Sequence, residues 1–165
     1  MNTKLVSLVI IGAILAAALF PSPTLAVPRT YTAMLTGASE VPPVPTMATG
    51  EATFALSDDG LALTYRLTVN NITDVTASHI HVAVSGVNGP VVVPLFIGPV
   101  KTGAFTGVLA EGTITAADLR GVLAGMPLNA LVDRIETGGA YVNVHTTSRP
   151  GGEIRGQIHL APMTP

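Results

Sequence analysis

The chain contains no cysteine and no tryptophan, and only 11% of its 165 residues are charged. The absence of cysteine excludes disulfides, thiolate metal sites, cysteine nucleophiles and N-terminal lipid attachment. The formal net charge is −2 at pH 7 and the 8 basic residues form no cluster, which argues against nucleic acid as a partner. The remaining composition, rich in Val, Ala, Thr and Gly, is typical of a β domain.

One long apolar run, Leu5–Phe20, is followed by two prolines and then by small residues around Ala26. This pattern predicts a secretory signal peptide at residues 1–26. The alternative is a retained membrane anchor, but the run is close to the shortest length that spans a bilayer. We therefore expect a secreted or periplasmic protein with no membrane span after cleavage and a single domain at residues 27–165.

Apolar residues alternate with other residues along most of the mature chain, which predicts about eight short strands. The expected strands are residues 31–36, 51–56, 61–69, 76–84, 91–96, 102–110, 140–146 and 153–160. Asp59-Gly60 lies between the second and third of these runs, which is a strong hairpin signal. We therefore expect an all-β fold, an antiparallel Greek-key sandwich or flattened barrel of about eight strands.

The connection between the sixth and seventh predicted strands is long and contains two helical patterns. Thr115 and Asp118 have the spacing of a helix start. Further on, apolar residues recur at helical spacing before Gly138-Gly139, at Leu128, Leu131, Val132 and Ile135. The sequence thus predicts two short helices in this crossover.

Three of the four histidines lie in two predicted strands, His79 and His81 in one and His145 in the other. Side chains two residues apart in a strand share a face, so His79 and His81 point the same way while Ile80 points the opposite way. If the two strands are neighbours, the three imidazoles can hold a transition metal. The alternative is that the rings donate hydrogen bonds that lock strands and turns together. His159, in the last strand, is a candidate fourth ligand, but the preferred interpretation is an ordinary surface histidine.

Two charged residues of the last predicted strand, Glu153 and Arg155, also share a face. Glu153 is a candidate to orient a histidine through its ring N–H, as metal sites commonly require. Arg155 is a candidate to attract an anion or to pair with Glu153 or Glu40. The simpler interpretation is a partly buried ion pair that fixes the final strand.

Five motifs follow one another along the whole mature chain, at residues 37–43 (GASEVPP), 77–81 (ASHIH), 86–92 (GVNGPVV), 140–146 (AYVNVHT) and 150–157 (PGGEIRGQ). In sequence and in order these motifs resemble those of the CHRD domain. CHRD domains occur in the growth-factor antagonist chordin and in many exported bacterial proteins. The resemblance implies an extracellular module, and this chain looks like an exported single-domain form. In chordin the growth factor is bound by accompanying cysteine-rich modules, so that activity does not carry over to a chain without cysteine.

The segment His79-Ile80-His81 is also similar to the His-x-His strand of copper/zinc superoxide dismutases. This likeness covers only a few residues, and a shared fold does not determine function. Dismutase chemistry uses further ligands, including a bridging histidine and an aspartate, and four histidines supply no identifiable set of that kind.

The leading interpretation is therefore an exported, non-enzymatic β-sandwich module with a metal site at His79, His81 and His145. Copper is the first candidate because it binds nitrogen ligands most tightly among the divalent ions, and zinc or no metal are the alternatives. The partner would be an unidentified protein or a component of the cell envelope. Two other functions stay open, a structural or adhesive module without metal and an enzyme of superoxide-dismutase type.

Overall fold

The computed structural model describes residues 29–162, which form an all-β fold with seven strands and one α-helix. The predicted signal peptide at residues 1–26 lies outside the described residues. The strands are β1 (Thr30–Thr36), β2 (Thr49–Leu56), β3 (Leu63–His81), β4 (Val91–Ile114), β5 (Tyr141–Thr146), β6 (Ile154–Gln157) and β7 (His159–Leu160), and the helix is α1 (Asn129–Glu136).

Every strand pairing is antiparallel, as predicted. The hydrogen-bonded order is β2-β1-β6-β5-β3-β4, and β2 also pairs with β3. The strands β1, β2, β3, β5 and β6 therefore close into a five-stranded barrel. Outside this ring, β4 pairs with β3 and β7 pairs with β1. The Greek-key connection stays a prediction.

Seven strands are found instead of eight because two expected breaks are bends within continuous strands. Between the two halves of β3, Asn71 has φ 54° and Asp74 has φ 53°. Asn and Asp tolerate this left-handed region better than other side chains, so the chain turns without leaving the ladder. The pairing of β3 with β4 shifts register around the same point. Conversely, the last predicted strand is divided into β6 and β7.

Because of this bend, the hairpin of β3 and β4 contributes to two parts of the barrel. The first half of β3 pairs with β2, from Leu63 to Asn70, and the second half pairs with β5, from Val75 to His81. The hydroxyl of Tyr65 in the first half donates to the Leu95 carbonyl, which lies next to the second half (2.8 Å). The folded hairpin therefore brings distant parts of β3 and β4 against one core.

Inward-facing side chains from all five barrel strands fill that core. They include a set with no exposed surface, namely Leu35, Leu63, Leu67, Ile80, Val142, Val144 and Ile154. Burial of each large aliphatic side chain contributes about 1.5–3 kcal/mol relative to its exposed state. The strict alternation leaves the other face of β5, β6 and the second half of β3 for polar side chains.

The crossover between β4 and β5 holds one α-helix rather than two. The predicted first helix is instead a pair of 3₁₀ helices, Ala116–Asp118 and Gly121–Leu123, although Asp118 accepts the Thr115 backbone N–H as expected (2.8 Å). Gly121, the first residue of the second 3₁₀ helix, has φ 56°, which is outside the helical region. The predicted second helix is confirmed as α1, which buries Leu131, Val132 and Ile135. Within residues 29–162 no helix has the length and apolar character needed to cross a membrane.

Candidate metal centre

The strand register places the three predicted ligand histidines on one face of the sheet. In β3, Ile80 points into the core, so His79 and His81 point out of the opposite face. Across the β3–β5 ladder, His79 is opposite Asn143 and His145 is two residues further along β5. Such diagonal neighbours lie within reach of each other's side chains. The condition on which the predicted site depends, that β5 lies beside the second half of β3, is therefore met.

The three rings lie close enough together to hold an ion. Their candidate ligand nitrogens all lie within 4.8 Å of one another. Nδ1 of His79 is 3.2 Å from Nε2 of His145, and the ring centres of His79 and His81 are 5.8 Å apart. No carboxylate between residues 29 and 162 joins this group, so its donors are imidazoles alone.

Backbone carbonyls fix the tautomers of two of the rings. Nδ1 of His81 is 2.9 Å from the Gly89 carbonyl, and Nδ1 of His145 is 3.0 Å from the Pro150 carbonyl. A carbonyl only accepts, so each Nδ1 carries the proton and each Nε2 keeps its lone pair in the neutral ring. The His145 Nε2 then accepts from His79 Nδ1. Hydrogen bonds of this kind orient histidine ligands in metal sites.

The Nε2 atom of His81 is buried and has no hydrogen-bond partner among the described residues. His81 itself is only 8% exposed. A buried polar atom without a partner costs about 1–3 kcal/mol, so such atoms are rare and need an explanation. An ion bound between the three rings would satisfy this lone pair.

Burial holds all three rings in the neutral form that a metal requires. Burial, together with the neighbouring His145 and His81, lowers the pKa of His79 to about 4. Burial also lowers the pKa of His81 and of His145, against the opposite effect of their hydrogen bonds to backbone carbonyls. At neutral pH no proton therefore competes with a metal ion for these rings.

The face of the His81 ring packs against an aromatic side chain. The rings of His81 and Tyr141 are stacked, with centres 4.9 Å apart and planes 12° apart. The guanidinium carbon of Arg155 lies 3.4 Å from the centre of the Tyr141 ring. The Tyr141 hydroxyl accepts the backbone N–H of Gly89, the residue whose carbonyl holds His81 (3.1 Å).

The other predicted site residues lie in different surroundings. Glu153 accepts the hydroxyls of Thr46 (2.8 Å) and Thr146 (2.6 Å), and no hydrogen bond joins it to a histidine ring. The ion pair expected for Glu153 and Arg155 is not among those found between residues 29 and 162. His159 is exposed in β7 and is not part of the histidine group, as interpreted from the sequence.

A second buried polar group lies close to the histidines. Glu40 and Asn143 are 5% and 3% exposed, and Glu40 Oε1 and Asn143 Oδ1 have no hydrogen-bond partner among the described residues. Burial raises the pKa of Glu40 to about 7, although Arg155, a backbone N–H and Asn143 all act to lower it. Both orphaned oxygens face the Cα of Gly152, where a Cβ atom would approach them within 2.5–2.7 Å.

Sequence reasoning missed Tyr141, Asn143 and the carbonyls of Gly89 and Pro150. For Tyr141 and Asn143 a signal existed, because they are four and two residues before His145 and therefore share its face of the strand. For the two carbonyls there was none, since their positions depend on the conformations of two loops.

Comparison with known proteins identifies the family. No curated protein and no solved structure matches the chain significantly. The family model of the CHRD domain matches residues 31–158, a range that includes all the histidines of the site and every barrel strand except for Thr30, the first residue of β1. This chain belongs to the CHRD domain family.

Proposed function

We propose that this protein is an exported, non-enzymatic CHRD module that binds one transition-metal ion at His79, His81 and His145, with copper as the first candidate. The proposed role is the binding, storage or delivery of metal in the periplasm or outside the cell, together with an unidentified protein or envelope partner. Export is supported by the pattern of residues 1–26 in the sequence.

The observation that carries the proposal is the unpartnered Nε2 of His81. Its ring is fixed on both sides, by the Gly89 carbonyl at Nδ1 and by the stacked Tyr141 ring. The ring therefore holds a buried lone pair in a group whose ligand atoms lie within 4.8 Å of one another, and an ion is a partner that suits all three donors.

The spacing of the nitrogens fits tetrahedral ligation at one pair. An ion with metal–nitrogen bonds of about 2.0–2.1 Å separates two tetrahedral ligands by about 3.3–3.4 Å. The His79 Nδ1–His145 Nε2 distance of 3.2 Å is close to that value. His79 must give up its hydrogen bond to His145 on binding, and a tautomer exchange within its neutral ring frees Nδ1 without releasing a proton.

The donor set of three imidazoles ranks copper ahead of zinc as the candidate metal. Imidazole suits both ions, and divalent copper binds nitrogen sites more tightly than divalent zinc. With three protein donors, a fourth position on the ion stays open to water or to a ligand from a partner, which suits transfer of the ion to another protein.

A second function, a histidine lock without metal, is favoured by a different observation. The bonds from His81 to Gly89 and from His145 to Pro150 tie β3 and β5 to the two loops that cover this face. Such bonds stabilise the fold whether or not an ion binds. In this case the protein would act as a structural or adhesive module.

Metal content of the purified mature protein, measured by mass spectrometry, separates the two functions. The protein is produced without a histidine tag, exposed to copper and zinc together, and desalted. The test variant is His79→Ala/His81→Ala/His145→Ala, and the matched control is His159→Ala, which removes an exposed histidine outside the group.

The proposal expects about one copper ion per chain in the wild type and in the control, and none in the folded triple variant. Negligible metal in all three proteins would overturn it. If the histidines act only as a structural lock, the triple variant should lose the same amount of thermal stability with and without added metal. An enzyme of dismutase type is excluded if the loaded protein destroys superoxide no faster than free copper does.

A further inference from the structure

Arg155 is a buried cation, and no carboxylate between residues 29 and 162 forms an ion pair with it. Its side chain is only 2% exposed, and it is the largest of the fully buried side chains in the described part of the chain. The two ion pairs found between residues 29 and 162 involve Arg29 and Arg66 instead. A buried charge costs several kcal/mol of desolvation, so its position calls for compensating contacts and a reason.

The side-chain hydrogen bonds of Arg155 all go to one loop. Arg155 donates to the Asn88 side-chain oxygen (3.1 Å), to the Val87 carbonyl (2.8 Å) and to the Val84 carbonyl (3.4 Å). Asn88 in turn donates to the Val41 carbonyl (2.9 Å). The planar guanidinium thus fixes the loop at several points, which a lysine ammonium cannot reproduce in the same geometry.

The next residue of that loop, Gly89, holds His81. Its carbonyl accepts the His81 Nδ1 proton and its N–H donates to the Tyr141 hydroxyl. The position requires glycine, because a Cβ atom there would lie 2.1 Å from the Val82 carbonyl oxygen. The loop conformation that Arg155 fixes is therefore the one that sets the His81 tautomer.

Arg155 also reaches His81 through a stack of planes. The guanidinium packs on one face of the Tyr141 ring, and His81 is stacked with the same ring. Tyr141 is opposite His81 across the β3–β5 ladder, and Arg155 is opposite Asn143 across the β5–β6 ladder. The loop and the stack thus connect the same guanidinium to the same imidazole by two separate routes.

We propose that Arg155 is a positioning residue for His81, which fixes the Nδ1–H tautomer and the ring plane so that Nε2 faces the other two histidines. This role of Arg155 rests on the proposed metal function, but the tautomer of the His81 ring can be measured without metal. The two can therefore fail independently.

The test combines ring NMR of the metal-free protein with copper titration. Nitrogen-15 shifts of the histidine rings report each tautomer in the wild type, Arg155→Met, Arg155→Lys and the control Arg66→Met, which removes an exposed arginine. We expect His81 to hold Nδ1–H in the wild type and the control, and to become a tautomer mixture in both Arg155 variants, more so with Met. His145 serves as an internal reference because the Pro150 carbonyl fixes its tautomer independently.

For copper, we expect both Arg155 variants to bind about 10–100-fold more weakly, the usual effect of removing a residue that orients a ligand. Their Cu(II) EPR spectra should also differ from that of the wild type, a change that reduced stability alone does not produce. If Arg155→Met does not fold, Asn88→Ala tests the loop route, since Asn88 is exposed and its loss leaves the stack intact.

Unchanged His81 shifts in a folded Arg155→Met protein would overturn the inference, as would an Nε2–H tautomer of His81 in the wild type. In the absence of a folded Arg155 variant, unchanged His81 shifts in Asn88→Ala would do the same. A shifted tautomer in a protein that takes up no copper would support the positioning role and refute the metal function.

Discussion

Replacement of Glu40 by glutamine should stabilise the protein at alkaline pH and change it little in acid. Glu40 is 5% exposed, and burial raises its pKa from 4.5 to about 7. When it ionises, the buried carboxylate accepts one long hydrogen bond from the Asn143 amide (3.5 Å), and its Oε1 has no partner among the described residues. Protonation of Glu40 removes this buried charge, and glutamine has nearly the same shape and never ionises.

The magnitude follows from the shift in pKa. Each unit by which a folded-state pKa departs from its unfolded value changes stability by about 1.4 kcal/mol. A carboxyl with a raised pKa binds its proton more tightly in the folded state, so its contribution is complete below pH 4.5 and is lost as pH rises to about 7. Between pH 5 and pH 8 the wild type should lose about 2.5 kcal/mol from this group, and Glu40→Gln should lose none of it.

Urea unfolding followed by circular dichroism, at pH 5 and pH 8, measures the difference. The advantage of Glu40→Gln over the wild type should grow by about 2–3 kcal/mol between the two pH values. Glu111→Gln, which neutralises an exposed glutamate, should show no such growth. A Glu40→Gln advantage that stays within about 0.5 kcal/mol across this range, which is the usual size of a surface effect, would refute the reasoning.

Three further predictions concern the same site and its support. His79→Gln should gain stability relative to the wild type as pH falls from 6.5 to about 4, because the unfolded wild type takes up a proton on His79 that the folded state resists. Urea unfolding midpoints of the two proteins at pH 7 and pH 4.5 test this. A difference between the two midpoints that is the same at both pH values would contradict it. Gly152→Ala should destabilise the protein by about 3 kcal/mol, because Gly152 has a positive φ and an added Cβ atom would crowd Glu40 and Asn143. The control Gly151→Ala places its Cβ atom in open space and should cost under about 1 kcal/mol. Similar urea unfolding midpoints for the two variants would contradict this. Leu67→Ala, in the core, should cost about 2–5 kcal/mol by thermal or urea unfolding, and Leu61→Ala, which is 67% exposed, serves as its control.

The effects of Glu40 and His79 on stability oppose each other between about pH 4.5 and pH 6.5. Stability contributed by Glu40 falls as pH rises through this window, while that contributed by His79 rises. The wild type can therefore show a flat profile although two groups titrate in it. For this reason both predictions compare a variant with the wild type at each pH.

Period-two alternation was sufficient to predict the main outcome at the site. It placed His79 and His81 on one face with Ile80 on the other, a result that depends only on the alternation of a pleated strand. The position of β5 beside this half of β3 was a condition of the prediction, and only the fold supplies it. The same logic, applied to the last strand, did not anticipate that Arg155 contacts the loop before β4 rather than Glu153.

The strand count was wrong in part because the predicted strands at residues 61–69 and 76–84 form one strand, β3. Asn71 and Asp74, which lie between them, bend β3 instead of ending it. Whether a positive-φ residue ends a strand or bends it depends on the partner strands on either side. Those partners, β2 and β5, are distant in sequence and cannot be read from the local pattern.

The shape of β4 has a consequence for self-association. This strand spans 24 residues, and β3 is its only partner strand within the described chain. A straight open edge of that length would be a template for pairing with a second molecule. Pro94 and Pro99 remove two N–H donors from this strand. The repeated register shifts against β3 increase its twist, so that its free edge is not straight. The irregularities that let one hairpin wrap the barrel therefore also protect the protein from edge-to-edge aggregation.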